Sequence, residues 1–269
     1  MRPTRSNGCV GRPDPLQVVS WVALPLFLTS FALLSIPPFP AVAQTALAVV
    51  YGVLTVVLLV VAGKTTLSDP SDPEVRAALS CAPNRRGQSG LGLGLGLGGG
   101  LGGGGLGGGG GAAAGVPPRL RGYKKCYVCK VYRRPLTEHC RVCNTCVETF
   151  DHHCKWLNNC VGSQNYRLFS ATLHLTTLHM LVHTLVAASA LVAYSVSYRV
   201  KGEVDTVRIV LQSVSLVFSI AFEALLLQLW YFHIGLIRDD NTTFEIGMGR
   251  TRATRRNDKQ TGGGSSSSV

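Results

Sequence analysis

Acidic side chains are what this 269-residue sequence lacks most: 14 Asp and Glu stand against 26 Lys and Arg, a formal charge of +12. In a soluble protein that deficit would point to nucleic acid or another anionic surface. A second absence redirects the argument. The stretches Leu16–Ile36, Ala41–Ala62 and Leu168–Tyr198 contain no Lys, Arg, Asp or Glu, and a fourth, Val207–Ile237, contains only Arg208 and Glu223. A bilayer is crossed by roughly 20 apolar residues. One such run would pass for a buried core helix, but four in a short chain imply a multi-pass membrane protein. Ala41-Val42-Ala43 resembles a signal-peptide cleavage site. The preceding apolar stretch, however, outruns the usual signal core of roughly 7–15 residues, so an uncleaved anchor is expected.

The turns between the runs are poor in positive charge. Pro37–Pro40 has none and the turn after Tyr198 only Arg199, Lys201 and Arg208, against 3 basic residues in the N-terminus, 14 between Lys64 and Arg167, and 6 after Ile237. Basic residues stay on the cytosolic side. Both termini and the central loop are therefore expected in the cytosol, and topology, not nucleic-acid binding, accounts for the charge. The expected layout is an N-terminus at 1–15, spans at 16–36 and 41–62, a linker at 63–122, a cysteine-rich domain at 123–167, spans at 168–198 and 207–237, and a tail at 238–269. Within the linker, residues 90–115 contain 17 glycines, a composition that orders poorly and packs little; no G-x-G-x-x-G nucleotide site is set in it. The fold class expected is all-α, with four transmembrane helices carrying one small cytosolic domain.

Cysteine is concentrated. Seven of the nine fall in residues 126–160, while Cys9 and Cys81 stand alone. A reducing cytosol and an odd count argue against a disulfide framework. Cys126-x-x-Cys129 and Cys140-x-x-Cys143 have the spacing with which two thiolates grip tetrahedral zinc. Two four-coordinate ions need eight ligands, and the segment offers seven cysteines with His139, His152 and His153. If both sites are Cys₃His, one cysteine and one histidine are left over. Spacing alone leaves open which. Cys154 beside His152 is the attractive choice, because an imidazole within reach of a thiol makes it a better nucleophile, and Asp151 would orient that imidazole.

The unbroken pattern C-x2-C-x9-H-C-x2-C-x2-C-x4-D-H-H-C-x5-C from Cys126 to Cys160, followed by "CVGSQNYRLF", resembles the DHHC protein S-acyltransferases, the palmitoyltransferases. "NTTFE" after the fourth run resembles the family's T-T-x-E, giving Thr242, Thr243 and Glu245 supporting roles. "SDP" at Ser68–Pro70 resembles the start of its Asp-Pro-Gly element, with Ser71 in place of glycine. Lys155 and Trp156 match a subset with Lys-Trp after the motif; Arg134 and Leu136 stand where proline and arginine are often found.

The resemblance implies one zinc on Cys126, Cys129, His139 and Cys146, a second on Cys140, Cys143, His153 and Cys160, and Cys154 as nucleophile with His152 as base and Asp151 as its orienter. It implies palmitoyl transfer from acyl-CoA to cysteines of cytosolic or membrane-associated proteins, in an endomembrane such as ER, Golgi or endosome. The competing expectation is a membrane scaffold using a zinc module for binding, which has no use for a spare Cys–His pair. Inside the membrane, Glu223 is expected to be paired, protonated or cavity-facing, with His179 and His183 as candidate partners.

Overall fold

The computed structural model describes residues 4–80, 122–201, 206–249 and 251. The glycine tract, Cys81 and the tail from 252 onward lie outside the described residues.

Among the described residues, four helices are long and apolar enough to cross a membrane. Helix α1, Pro15–Ser30, begins at Asp14, whose side chain accepts the Leu16 N–H, with proline at the first position where no N–H is needed. It runs into a π-helical stretch at Phe31–Ser35. Helix α2 is Ala41–Leu67 and the short α3 is Pro73–Ser80. After the cysteine-rich segment come α4, Tyr166–Lys201, α5, Thr206–Asp239, and the short α6, Thr243–Gly247.

Lipid offers no hydrophobic gain for helix association, so polar and close contacts must lock the spans together. Gln212 of α5 donates to the Ala187 carbonyl of α4 (2.9 Å) and to Ser35 Oγ (3.2 Å). Thr65 pairs with Thr172 at 3.0 Å, and Ser215 with Ser30 at 3.1 Å. Tyr194, on the far half of α4, donates to the Leu34 carbonyl at 2.8 Å.

Deeper in the bundle, the Thr55 hydroxyl donates to the Tyr51 carbonyl (2.8 Å) and therefore accepts from His179 Nε2 (3.0 Å). That tautomer makes His179 Nδ1 an acceptor for the Tyr51 O–H, and the Tyr51 oxygen in turn accepts from His183 Nδ1, each at 3.4 Å. The histidines thus partner Tyr51 and not Glu223, correcting the expectation above. Glu223 is 6% exposed, and neither carboxyl oxygen has a hydrogen-bond partner among the described residues.

Among the described residues between α3 and α4 lie three antiparallel two-stranded hairpins of three-residue strands: β1 Lys124–Cys126 with β2 Val131–Arg133, β3 Glu138–Cys140 with β4 Thr145–Val147, and β5 His152–Cys154 with β6 Asn159–Val161. The helical fold class holds, but this segment contributes only strands and turns. Such strands are too short to hold themselves.

Several ties seat the hairpins on the helix ends. Asn159 Nδ2 donates to the Thr65, Thr66 and Ser68 carbonyls (3.1, 3.2 and 2.9 Å), which end α2 without intrahelical partners. Asp72, fully buried, accepts from Thr137 Oγ1 at 2.6 Å, Arg134 Nη2 at 3.0 Å and the Glu74 N–H at 2.9 Å. Arg134 also meets Glu148 at 2.6 Å, so it bolts the start of α3 to the hairpins. Of the two Asp-Pro steps after α2, the second, at Asp72, anchors the hairpins; Asp69 binds its own turn through Ser71 and Arg76.

The N-terminal arm lies across the second and third hairpins. Arg5 N–H donates to the Cys143 carbonyl (2.9 Å) and Asn158 Nδ2 to the Gly8 carbonyl (3.1 Å). A Cβ on Gly8 would fall 2.3 Å from the Leu157 oxygen, so only glycine fits there.

Candidate active site and metal clusters

The three hairpins are one unit repeated at 14-residue intervals. Cys126, Cys140 and Cys154 end the first strand of each, and Lys130, Asn144 and Asn158 take the left-handed conformation at matching places, with φ of 58°, 53° and 51°. In the first two, the cysteine three residues on donates its N–H to the strand-end sulfur at 3.4 Å, Cys129 to Cys126 and Cys143 to Cys140. The third hairpin has Leu157 at that place. Each four-donor cluster takes its Cys-x-x-Cys from one hairpin and a paired His and Cys from the next: His139 opposite Cys146, His153 opposite Cys160. The third hairpin has no successor, and Leu157 leaves its Cys-x-x-Cys incomplete. Cys154 is therefore built like a knuckle ligand but has no cluster to join.

Distances test whether the clusters suit zinc. Tetrahedral zinc, with bonds of about 2.3 Å to sulfur and 2.0–2.1 Å to nitrogen, needs donors about 3.5–3.8 Å apart. His139 Nδ1 lies 3.7, 3.4 and 3.8 Å from the sulfurs of Cys126, Cys129 and Cys146. His153 Nδ1 lies 3.9, 3.4 and 3.5 Å from those of Cys140, Cys143 and Cys160. Cys146–Cys129 and Cys160–Cys143 are 3.7 and 3.4 Å. Both sets fit, and each can hold a metal ion. Electrostatics agree: the Cys143 thiol is pushed up to about 12 by its hydrogen bond with Cys140, burial adding to it, and burial first pushes Cys146 up as well. Thiols crowded this way ionise together only around a cation.

Cys154 and His152 belong to neither set. Cys154 is 7% exposed and packs with Val161 and Phe169, with Leu157 and Tyr166 at the edge. The His152 side chain hydrogen-bonds Cys154, and its Nδ1 lies 2.6 Å from Asp151 Oδ2. Asp151, 2% exposed, accepts at Oδ1 from the Thr243 N–H and at Oδ2 from the Thr243 hydroxyl, both at 2.9 Å.

Burial opposes ionisation of Asp151, but its bonds from His152 and Thr243 hold the carboxyl below the ordinary range. Burial likewise opposes protonation of His152; the hydrogen bonds to Asp151 and Cys154 and the negative charge on both outweigh it, raising its pKa to about 9. His152 thus bridges the Asp151 carboxyl and the Cys154 sulfur.

The T-T-x-E residues divide their work. Thr242 caps α6: its hydroxyl accepts the Glu245 N–H at 3.1 Å while Glu245 Oε2 accepts the Thr242 N–H at 2.9 Å. The cap aims Thr243 at Asp151.

A family model described as DHHC palmitoyltransferase matches residues 120–248. Over those residues the chain is similar to that family. No curated protein matches the chain. The matched stretch takes in the three hairpins, α4, α5 and α6, and so includes every sulfur and imidazole of both clusters as well as Cys154, His152 and Thr243. Gly162, which links the last hairpin to α4, is forced: a Cβ would lie 2.6 Å from the Glu148 oxygen.

Three groups beside His152 were not anticipated from the sequence. His233 of α5, with Tyr166 and Phe169 of α4, closes one side of it. Asp151, His152 and His233 bring donors within 4.8 Å of one another. Within the trio Asp151 and His152 are hydrogen-bonded to each other, while His233 is held by the Tyr166 hydroxyl. A histidine in an apolar run carries little signal by itself. The 14-residue repeat, by contrast, was readable and singles out Cys154.

Proposed function

We propose that this protein is a membrane-embedded protein S-acyltransferase, of the subset with Lys155 and Trp156, that moves a long-chain acyl group from acyl-CoA through Cys154 to cysteines of partner proteins. The observation that carries the reading is the contact of His152 with both Asp151 and Cys154, outside either four-donor cluster. A zinc-binding scaffold has no need of it.

Two zinc ions, one on Cys126, Cys129, His139 and Cys146 and one on Cys140, Cys143, His153 and Cys160, would supply folding energy and no chemistry, fixing hairpins too short to fold alone. The reaction runs by ping-pong. Cys154 thiolate attacks the thioester carbonyl, the carbon–sulfur bond to CoA breaks, and the departing CoA thiolate takes the proton on His152. In the second half a protein thiol gives its proton to His152 and attacks the acyl-Cys154 carbonyl. Cys154 leaves as thiolate, restoring the starting pair. Asp151 stabilises the imidazolium in each half of the cycle where it is present, and Thr243 stabilises Asp151.

Membrane placement fits the substrate. Hiding an acyl chain from water is worth about 0.8 kcal/mol per CH₂, and Trp156 contacts Phe222 of α5 at 6.2 Å, linking the reactive hairpin to the spans. The reading sets the domain and both termini in the cytosol, where acyl-CoA and acceptor thiols are found, on an endomembrane. The test is incubation of detergent-purified protein with labelled palmitoyl-CoA. Hydroxylamine-sensitive label in the parent but not in Cys154→Ala, with about two zinc ions in each, is the expected result. Absence of label in a zinc-loaded parent overturns the reading in favour of a scaffold.

A further inference from the structure

His233 lies near the end of α5, ten residues before Thr243, and is only 5% exposed. Its ring touches Phe169 (4.9 Å between centroids) and His152 (5.7 Å), and Phe169 touches His152 (5.1 Å), so the three rings are in mutual contact. Tyr166 and Phe169, three residues apart, share a face of α4. Tyr166 brings its hydroxyl to within 3.2 Å of His233 Nδ1. Two spans thus close on one side of His152, while Asp151 holds its Nδ1.

An aliphatic or phenyl side chain would fill the same space without the cost of burying ring nitrogens in a spanning helix. The nitrogens therefore need partners. Tyr166 serves one. A ring nitrogen of His233 also lies within 4.8 Å of an Asp151 oxygen and a His152 nitrogen. A neutral imidazole has one N–H and one lone pair. Beside a carboxylate the favourable tautomer turns its N–H toward the anion, with the Tyr166 O–H donating into Nδ1.

There is also work for such a group. Once Cys154 is acylated, its sulfur no longer holds His152, and one bond to Asp151 leaves an imidazole free to turn.

We propose that His233, fixed by Tyr166, is a positioning residue that holds the Asp151–His152 pair in line with Cys154. This rests on the acyl-transfer reading for its purpose but on ring and hydrogen-bond geometry for its existence.

The test follows two rates on the full-length protein in detergent: alkylation of Cys154 by iodoacetamide, with Cys154→Ala as background, and acylation by labelled palmitoyl-CoA. His233→Phe keeps a ring and loses both nitrogens; His233→Gln keeps an amide; Tyr166→Phe removes one oxygen. Zinc content reports folding. In His233→Phe both rates should fall roughly tenfold, the cost of about one hydrogen bond. Tyr166→Phe should fall less, and His233→Gln should recover part of the loss. Parental rates in His233→Phe with zinc intact overturn the inference, since packing alone would then suffice. Should His233→Phe lose zinc, Tyr166→Phe decides, and parental rates there overturn it equally. A parent that alkylates in a His233-dependent way yet accepts no acyl group would sink the acyl-transfer reading and leave the inference standing.

Discussion

Replacing Thr243 with valine keeps the shape and the backbone N–H but deletes the hydroxyl that donates to Asp151 Oδ2 at 2.9 Å. That oxygen also accepts from His152, and Asp151 is 2% exposed, so water cannot substitute for the lost donor. A hydrogen bond to a charged group is worth about 1.5–3 kcal/mol. If the whole loss falls on the transition state, acyl-enzyme formation slows about 10- to 150-fold. A single-turnover assay with labelled palmitoyl-CoA reads it, with zinc content as the check that the hairpins are intact. Thr243→Ser, which keeps the hydroxyl, should restore most of the rate. Thr242→Val breaks the α6 cap, costing about 0.5–2 kcal/mol of local stability, but leaves Asp151 its direct donor, so it should slow the reaction less. Parental acylation in Thr243→Val would refute the role given to Asp151 as a carboxylate that must be held.

Asp72→Asn removes the charge facing Arg134 and should cost about 2 kcal/mol, read by thermal unfolding in detergent. Burial opposes ionisation of Asp72, but its bonds from Arg134, Thr137 and the Glu74 N–H hold its carboxyl below the ordinary value. This stabilisation is complete above the unfolded carboxylate value of about 3.9 and is lost as pH falls through the depressed folded one, so the gap between parent and variant should narrow below about pH 4. Tyr51→Phe strips His179 and His183 of their shared hydroxyl and should lower stability by about 1–3 kcal/mol while leaving acylation near the parental rate; a stability equal to the parent's contradicts the tautomer chain. Leu157→Cys rebuilds the missing half of the third knuckle. It should increase cadmium or zinc binding beyond the parent's and depress acylation; parental values of both would contradict the repeat argument.

The four apolar runs announced the spans, because lipid demands composition that little else produces. Cysteine spacing announced two metal clusters for a similar reason: the ligand set is chemically narrow. What stayed hidden depends on assembly. The contact of Thr243 with Asp151 joins residues 92 positions apart, and nothing local says that an α6 cap will point at a hairpin. Asp69 and Asp72 sit in near-identical Asp-Pro steps, and only packing decides which one meets Arg134. His233 is masked by its apolar surroundings. Glu223 was visible as an anomaly, but its proposed histidine partners were already engaged by Tyr51, whose position on α2 no periodicity relates to α4.

The central claim is a division of labour among seven cysteines, six holding metal and one holding the acyl group. The most direct measurement is to trap the acyl-enzyme from labelled palmitoyl-CoA, digest it, and map by mass spectrometry which cysteine carries the label, with zinc quantified on the same sample. Acyl is expected on Cys154 alone of the seven, with about two zinc ions retained. Acyl on any of Cys126, Cys129, Cys140, Cys143, Cys146 or Cys160, or zinc loss accompanying acylation of Cys154, would contradict it.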